Sequence, residues 1–142
     1  MPVGVFGVRV VVFNLRDPAK VKELELVVDT GATFPVIPRA FAGDLGIGPV
    51  ETRTFTLADG SQVTRDLGWA GFMFGDRASP SLVVLGESED VPILGALALE
   101  GLGLEADPAA KSLRPVTQFL LGAFNGTDPF ELPAVAGVQN PL

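Results

Sequence analysis

Leu24-Glu25-Leu26-Val27-Val28-Asp29-Thr30-Gly31-Ala32-Thr33 is the stretch on which the reading of this chain turns. Leu24, Leu26 and Val28 alternate with Glu23 and Glu25, the period of a half-buried strand. The strand runs into Asp29 with no polar spacer, so this carboxylate is expected at a strand end among apolar neighbours. Gly31 permits a tight turn that brings backbone N–H groups towards the carboxylate, and Thr30 supplies a hydroxyl that can lock the loop. Burial alone penalises the charged form, so a carboxylate held there is poised for proton chemistry. Taken by itself, Asp-Thr-Gly is also an ordinary turn.

Working outward, residues 3–14 are rich in Val and Phe and read as a first strand. It hairpins onto the strand at 22–28 through the turn Arg16-Asp17-Pro18-Ala19-Lys20. Residues 34–37 form a short apolar strand stopped by Pro38, which opens a candidate helix over 39–45 closed by Gly46. Residues 51–57 alternate again, Asp59-Gly60 gives a two-residue hairpin signal, and 62–74 is the return strand. A turn at Gly75-Asp76-Arg77 leads to a strand over 81–85 and an acidic loop over 86–90, read as solvated. Val91-Pro92-Ile93-Leu94-Gly95 is a short strand, and Ala96–Leu102 a second helix candidate with Gly103 as its cap. Residues 104–106 and 112–116 form a last hairpin. Trp69, Phe72 and Phe74 are assigned to core and cleft wall. Residues 122–142 are rich in Gly, Pro and Asn without a period, and read as a tail to a domain at 1–121. The expectation is an all-β domain with one or two short helices.

Composition narrows the chemistry. With 142 residues, 47% of them apolar, the chain can bury one core. Its 17 Gly and 12 Pro favour short strands and turns over long helices. A net charge of -7 repels phosphate backbones and anionic surfaces, so neither nucleic acid nor membrane is an expected partner. No apolar run is long enough to span a bilayer. The apolar start lacks the basic region and cleavage site of a signal peptide, and Arg9 interrupts it. The chain has no His and no Cys. That excludes disulfide scaffolds, thiolate nucleophiles, serine–histidine catalysis and His- or Cys-ligated metal sites. No cofactor and no metal are expected, and the absence of Cys fits a reducing, cytoplasmic compartment. Any catalysis of proton transfer falls to Asp, Glu, Lys or hydroxyls.

With the motifs in place, Leu26-Val27-Val28-Asp29-Thr30-Gly31-Ala32-Thr33 resembles the active-site segment of retropepsin-like (retroviral-type) aspartic proteases. Leu57-Ala58-Asp59-Gly60-Ser61 falls where that family places its flap hairpin. Ile93-Leu94-Gly95 followed by a short helix resembles its second signature, and Gly103-Leu104-Glu105-Ala106-Asp107 resembles the next strand and turn of bacterial and archaeal members. The resemblance covers roughly residues 3–116. It implies a closed β-barrel of the acid protease fold, assembled as a two-fold homodimer that binds a peptide or protein substrate. It implies Asp29 as the catalytic residue, and Thr30, Gly31 and Ala32 as the active-site loop, with Thr30 bonding across the dimer. Ala58, Asp59, Gly60 and Ser61 would form the flap over a peptide held as an extended strand. Ile93, Leu94 and Gly95 would be structural support.

The implied mechanism needs two carboxylates sharing one proton, because two like charges a few ångström apart cannot both ionise cheaply. The chain carries one Asp-Thr-Gly. Asp59-Gly60 lacks a hydroxyl residue between, Asp107-Pro108 and Asp128-Pro129 are turns, and Asp76-Arg77 lacks the Gly. The second carboxylate is therefore expected from Asp29 of another copy, which a two-fold axis supplies. The sequence departs from the viral pattern in a flap tip poorer in Gly, the candidate helix at 39–45, and the extra tail, within which 116–121 are a candidate interface strand. A non-catalytic dimeric peptide-binding or scaffolding module on the same fold stands as the alternative.

Overall fold

The computed structural model describes residues 5–117. Strands β1 (Phe6–Phe13) and β2 (Val21–Val28) pair antiparallel, Phe6 opposite Val28 and Phe13 opposite Val21. Their β-branched residues suit a pleated surface, and one face of each points inward: Val10, Val12, Leu26 and Val28 are all buried. The turn between them is fixed by Asn14, whose Oδ1 accepts from the N–H groups of Arg16 at 2.8 Å and Asp17 at 3.2 Å.

Past a loop over residues 29–35 come β3 (Val36–Pro38), α1 (Arg39–Asp44), β4 (Glu51–Thr56), β5 (Gln62–Phe74), β6 (Arg77–Gly86), β7 (Ile93–Leu94), α2 (Ala96–Leu102), β8 (Leu104–Asp107) and β9 (Ser112–Pro115). Hydrogen-bonded neighbours in the main sheet run β1-β2-β7-β3-β6-β5-β4. The sheet curls so that β1 also meets β5, Val11 opposite Met73 and Phe13 opposite Gly71. The interior holds Phe72, Leu26, Ile37, Leu85, Leu94 and Val12, and α2 adds the buried Ala98, Leu99 and Leu102. Each such side chain contributes roughly 1.5–3 kcal/mol through burial. Strands β8 and β9 form a separate two-stranded sheet. Gly103 ends α2 in the left-handed conformation, φ 67.

The expected all-β architecture with two short helices is the one observed. Two details differ. β6 begins at Arg77, several residues before the expected strand, and runs through Pro80. Proline is tolerated because β6 pairs there only with β5; its pairing with β3 starts at Val84. The Asp59-Gly60 hairpin is wider than a two-residue turn. Leu57 N–H donates to Ser61 O at 2.8 Å and Gly60 N–H to Leu57 O at 2.9 Å, with Gly60 at φ +86. This is a three-residue tip that needs a left-handed residue at its last position. The tail expected at 122–142, residues 118–121 of the candidate interface strand, and the start of the first strand at 3–4 lie outside the described residues.

Candidate active site

Asp29 follows the last residue of β2, and its N–H extends the strand ladder by donating to Leu94 O at 3.3 Å. The chain then reverses: Ala32 N–H donates to Asp29 O at 3.1 Å. Inside that turn Gly31 N–H donates to the Asp29 carboxylate, Oδ1, at 2.9 Å. A β-carbon on Gly31 would stand 3.2 Å from the same oxygen, so glycine leaves the carboxylate room. Asp29 is half-buried, whereas Thr30 and Gly31 are exposed and Ala32 is half-buried.

The loop is held from below by the second motif. β7 lies between β2 and β3, the two strands that the loop connects. Val27 and Val28 are parallel neighbours of Ile93 and Leu94, and Val36 pairs antiparallel with Ile93. Immediately after, Ala96 N–H donates to Ala32 O at 2.7 Å and Leu97 N–H to Thr33 O at 2.9 Å. These are N–H groups of the first turn of α2, which have no partner inside a helix. Gly95 makes the approach possible, since a β-carbon there would lie 2.7 Å from the carbonyl oxygens of both Ala32 and Phe34. Ile93, Leu94 and Gly95 thus sit under the Asp29 loop, with Leu94 fully buried.

A groove of about 730 Å³ opens above the loop. Asp29, Gly31, Ala32, Val84 and Ile93 line it together with Phe55, Leu57, Ala58 and Val63 from the β4–β5 hairpin. Phe34 meets Phe55 edge to face at 6.0 Å, and the Arg53 guanidinium lies 5.6 Å from the Phe34 ring centre. Both contacts tie the loop to β4. Of the expected flap residues, Ala58 lines the groove, while Asp59, Gly60 and Ser61 are exposed and lie outside it. The Asp59 carboxylate accepts from Ser61 Oγ at 2.6 Å and Ser61 N–H at 2.9 Å, which holds its pKa below the usual carboxylate value.

The loop read from sequence as solvated is exposed at Glu87, Ser88 and Glu89, but Asp90 clasps it to the base of the hairpin. Arg65 Nε donates to Asp90 Oδ2 at 2.7 Å and Nη2 to Asp90 Oδ1 at 3.0 Å, a two-pronged pair. Asp90 Oδ2 also accepts from Glu87 N–H at 2.7 Å, and Arg65 holds the Asp90 pKa below the ordinary value. Beside it Asp66 accepts from Thr52 Oγ1 at 2.6 Å and Arg39 Nη2 at 2.7 Å, which lower its pKa in that order. Arg39 reaches on to Glu87 at 3.3 Å. Alternation within β5 and the acidic run at 87–90 carried a signal for this clasp, but pairing across a sheet has no local signature in the sequence.

The three aromatic residues assigned together separate. Phe72 is fully buried and Phe74 half-buried, but Trp69 is 49% exposed and lies outside the groove. Its place in the cleft wall is corrected: Trp69 shares the alternation phase of the groove-lining Val63 and Arg65, but it lies farther along β5, opposite Leu82, past the groove. Among the described residues, no group of three or more His, Cys, Asp or Glu is arranged to hold a metal ion, and no helix is long and apolar enough to cross a membrane.

No protein-family model matches the chain, and no curated protein matches it. Among solved structures it is similar to the solution structure of the simian foamy virus (mac) protease, at 23% identity over 55% of this chain and 81% of that chain, with a TM-score of 0.42.

Proposed function

We propose that the chain is an aspartic endopeptidase of the retropepsin-like type, with a protease domain at residues 1–121, which hydrolyses peptide bonds as a homodimer. The observation that carries this reading is the Asp29 loop. A half-buried carboxylate, held by the Gly31 N–H, lines a groove shared with residues of the β4–β5 hairpin. A groove between loop and hairpin suits a peptide lying extended.

The proposed chemistry is general acid–base catalysis by two Asp29 carboxylates, one from each subunit. One stays protonated, because two adjacent charges repel. The ionised carboxylate takes a proton from water as the water oxygen attacks the peptide carbonyl, and its mate donates a proton to the carbonyl oxygen. Collapse of the tetrahedral intermediate breaks the C–N bond as the amine takes up a proton. The other acids of the groove are poor partners for Asp29. Asp90 is held ionised by Arg65, and neither Asp90 nor Glu89 makes a hydrogen bond to the Asp29 carboxylate. That supports a second copy as the source. The exposure of Thr30 and Gly31 at the loop tip supports the same arrangement, with the Thr30 hydroxyls bonding across the two-fold axis.

The test is cleavage of a peptide library by the wild type and by Asp29→Asn. The variant should lose cleavage while sedimenting as a dimer, and excess Asp29→Asn chain mixed into the wild type should inhibit it by forming half-mutant sites. A fully active variant, or an active strict monomer, overturns the proposal. A dimer that binds extended peptides and a statine-type mimic but cuts nothing identifies a peptide-binding module instead.

A further inference from the structure

The charges of the groove are unevenly satisfied. Besides Asp29, the charged side chains that line it are Arg65, Glu89 and Asp90. Arg65 is spent within the protein: Nε and Nη2 bind Asp90, Nη1 donates to Thr64 O at 3.0 Å, and 13% of the side chain is exposed. Asp90 is equally engaged, by Arg65 and by Glu87 N–H. Glu89 is not. Its side chain is 69% exposed, with one 3.3 Å contact to Arg65 and another to the Ser88 hydroxyl. Two carboxylates share one guanidinium, so this end of the groove keeps an unneutralised negative charge at Glu89.

We propose that Glu89 is a specificity-determining residue that selects a Lys or Arg side chain in the bound peptide. The inference rests on the protease reading for its scissile bond, and the chain sets its distance from that bond. Asp29 N–H bonds Leu94 O, and Glu89 lies five residues before Leu94. Five residues of extended chain reach at most about 17 Å, the length of about five residues of an extended peptide. The basic side chain therefore falls within five positions of the cleaved bond. A two-fold mate repeats Glu89, so the preference operates on both sides. Charges at the edge of an interface choose partners more than they add affinity, and an acidic peptide is disfavoured at the same point.

The test uses matched peptides carrying Lys, Gln or Glu at each of the five positions on either side of the scissile bond. Their kcat/KM values are compared for the wild type, Glu89→Gln and Glu89→Lys at low and high salt. Lys is expected to beat Gln by about three- to fivefold at one position or more. That ratio falls to about one in Glu89→Gln, inverts in favour of Glu in Glu89→Lys, and shrinks at high salt. Each ratio is taken within one variant, so loss of overall activity does not obscure it. Cleavage of neutral and basic peptides alike by the wild type overturns this inference and leaves the protease reading standing. If nothing is cut, affinities of the same peptides for the wild-type chain decide: a Glu89-dependent Lys preference in binding upholds the selection while the protease reading falls, and its absence ends both.

Discussion

Gly95 lies so close beneath Ala32 that a β-carbon on it would stand 2.7 Å from the Ala32 carbonyl oxygen. The obstruction is backbone, which cannot rotate away, and Phe34 O stands at the same distance. Gly95→Ala is therefore expected to destabilise the fold by about 1–3 kcal/mol through overpacking. It should also push the Asp29 loop out of position, so peptide cleavage falls further than stability alone explains. Denaturant unfolding and a cleavage assay on the same preparation check both; a variant as stable and active as the wild type contradicts the close approach.

The clasp between Arg65 and Asp90 gives a ranking. Removing Arg65 leaves Asp90 without the partner that neutralises it, while Arg9 and Glu23 form an exposed pair, 66% and 60% exposed. Arg65→Ala should lower the unfolding midpoint clearly more than Arg9→Ala. Arg65→Lys should recover only part of the loss, because an ammonium cannot make the two-pronged contact. Thermal melts of the three variants suffice, and equal midpoints for Arg9→Ala and Arg65→Ala refute the ranking.

The same contacts set a response to acid. Asp90, Asp66 and Asp59 all have folded-state pKa values below the ordinary 3.8. Groups shifted down contribute stability that is fully present above about pH 4 and is lost as pH falls through the lower folded-state values. Stability should therefore hold from neutral pH to about 4 as far as these three groups are concerned, and decline below it. Asp90→Asn should flatten that decline. Unfolding midpoints measured from pH 7 down to pH 2 test this, and a variant curve parallel to the wild type counts against it.

Phe72 provides a core reference. It is fully buried on β5 among residues of β1, β6 and α2. Phe72→Ala should cost about 3–5 kcal/mol, as large-to-small changes in closed cores do. Chemical denaturation measures it directly, and a loss below about 1 kcal/mol would mean that the site collapses around the smaller side chain.

Much of the fold was legible because its signals are local. Leu24, Leu26 and Val28 alternate, Pro38 precedes α1, Gly103 ends α2, and these three elements fall within a residue of their expected bounds. The Asp29 loop and Ile93-Leu94-Gly95 were found as separate motifs, and the structure brings them into contact. What sequence did not carry is pairing at a distance. Arg65 and Asp90 are each ordinary surface residues until β5 and the 87–90 loop are placed side by side. Trp69 was misassigned for a related reason: alternation puts it in phase with Val63 and Arg65, but does not tell how far along β5 the groove extends.

Strand β7 is two residues long, yet it joins the strands on either side of the Asp29 loop. Those strands are synthesised well before their shared neighbour. Until Ile93 and Leu94 arrive, β2 and β3 have no common partner, and the Asp29 loop lacks the N–H groups of Ala96 and Leu97 that fix its carbonyls. Pairing at such sequence separation is slow to form, because the intervening chain must be closed first. The order of synthesis thus keeps the proposed half-site unassembled in a nascent chain until β7 and the start of α2 have been made.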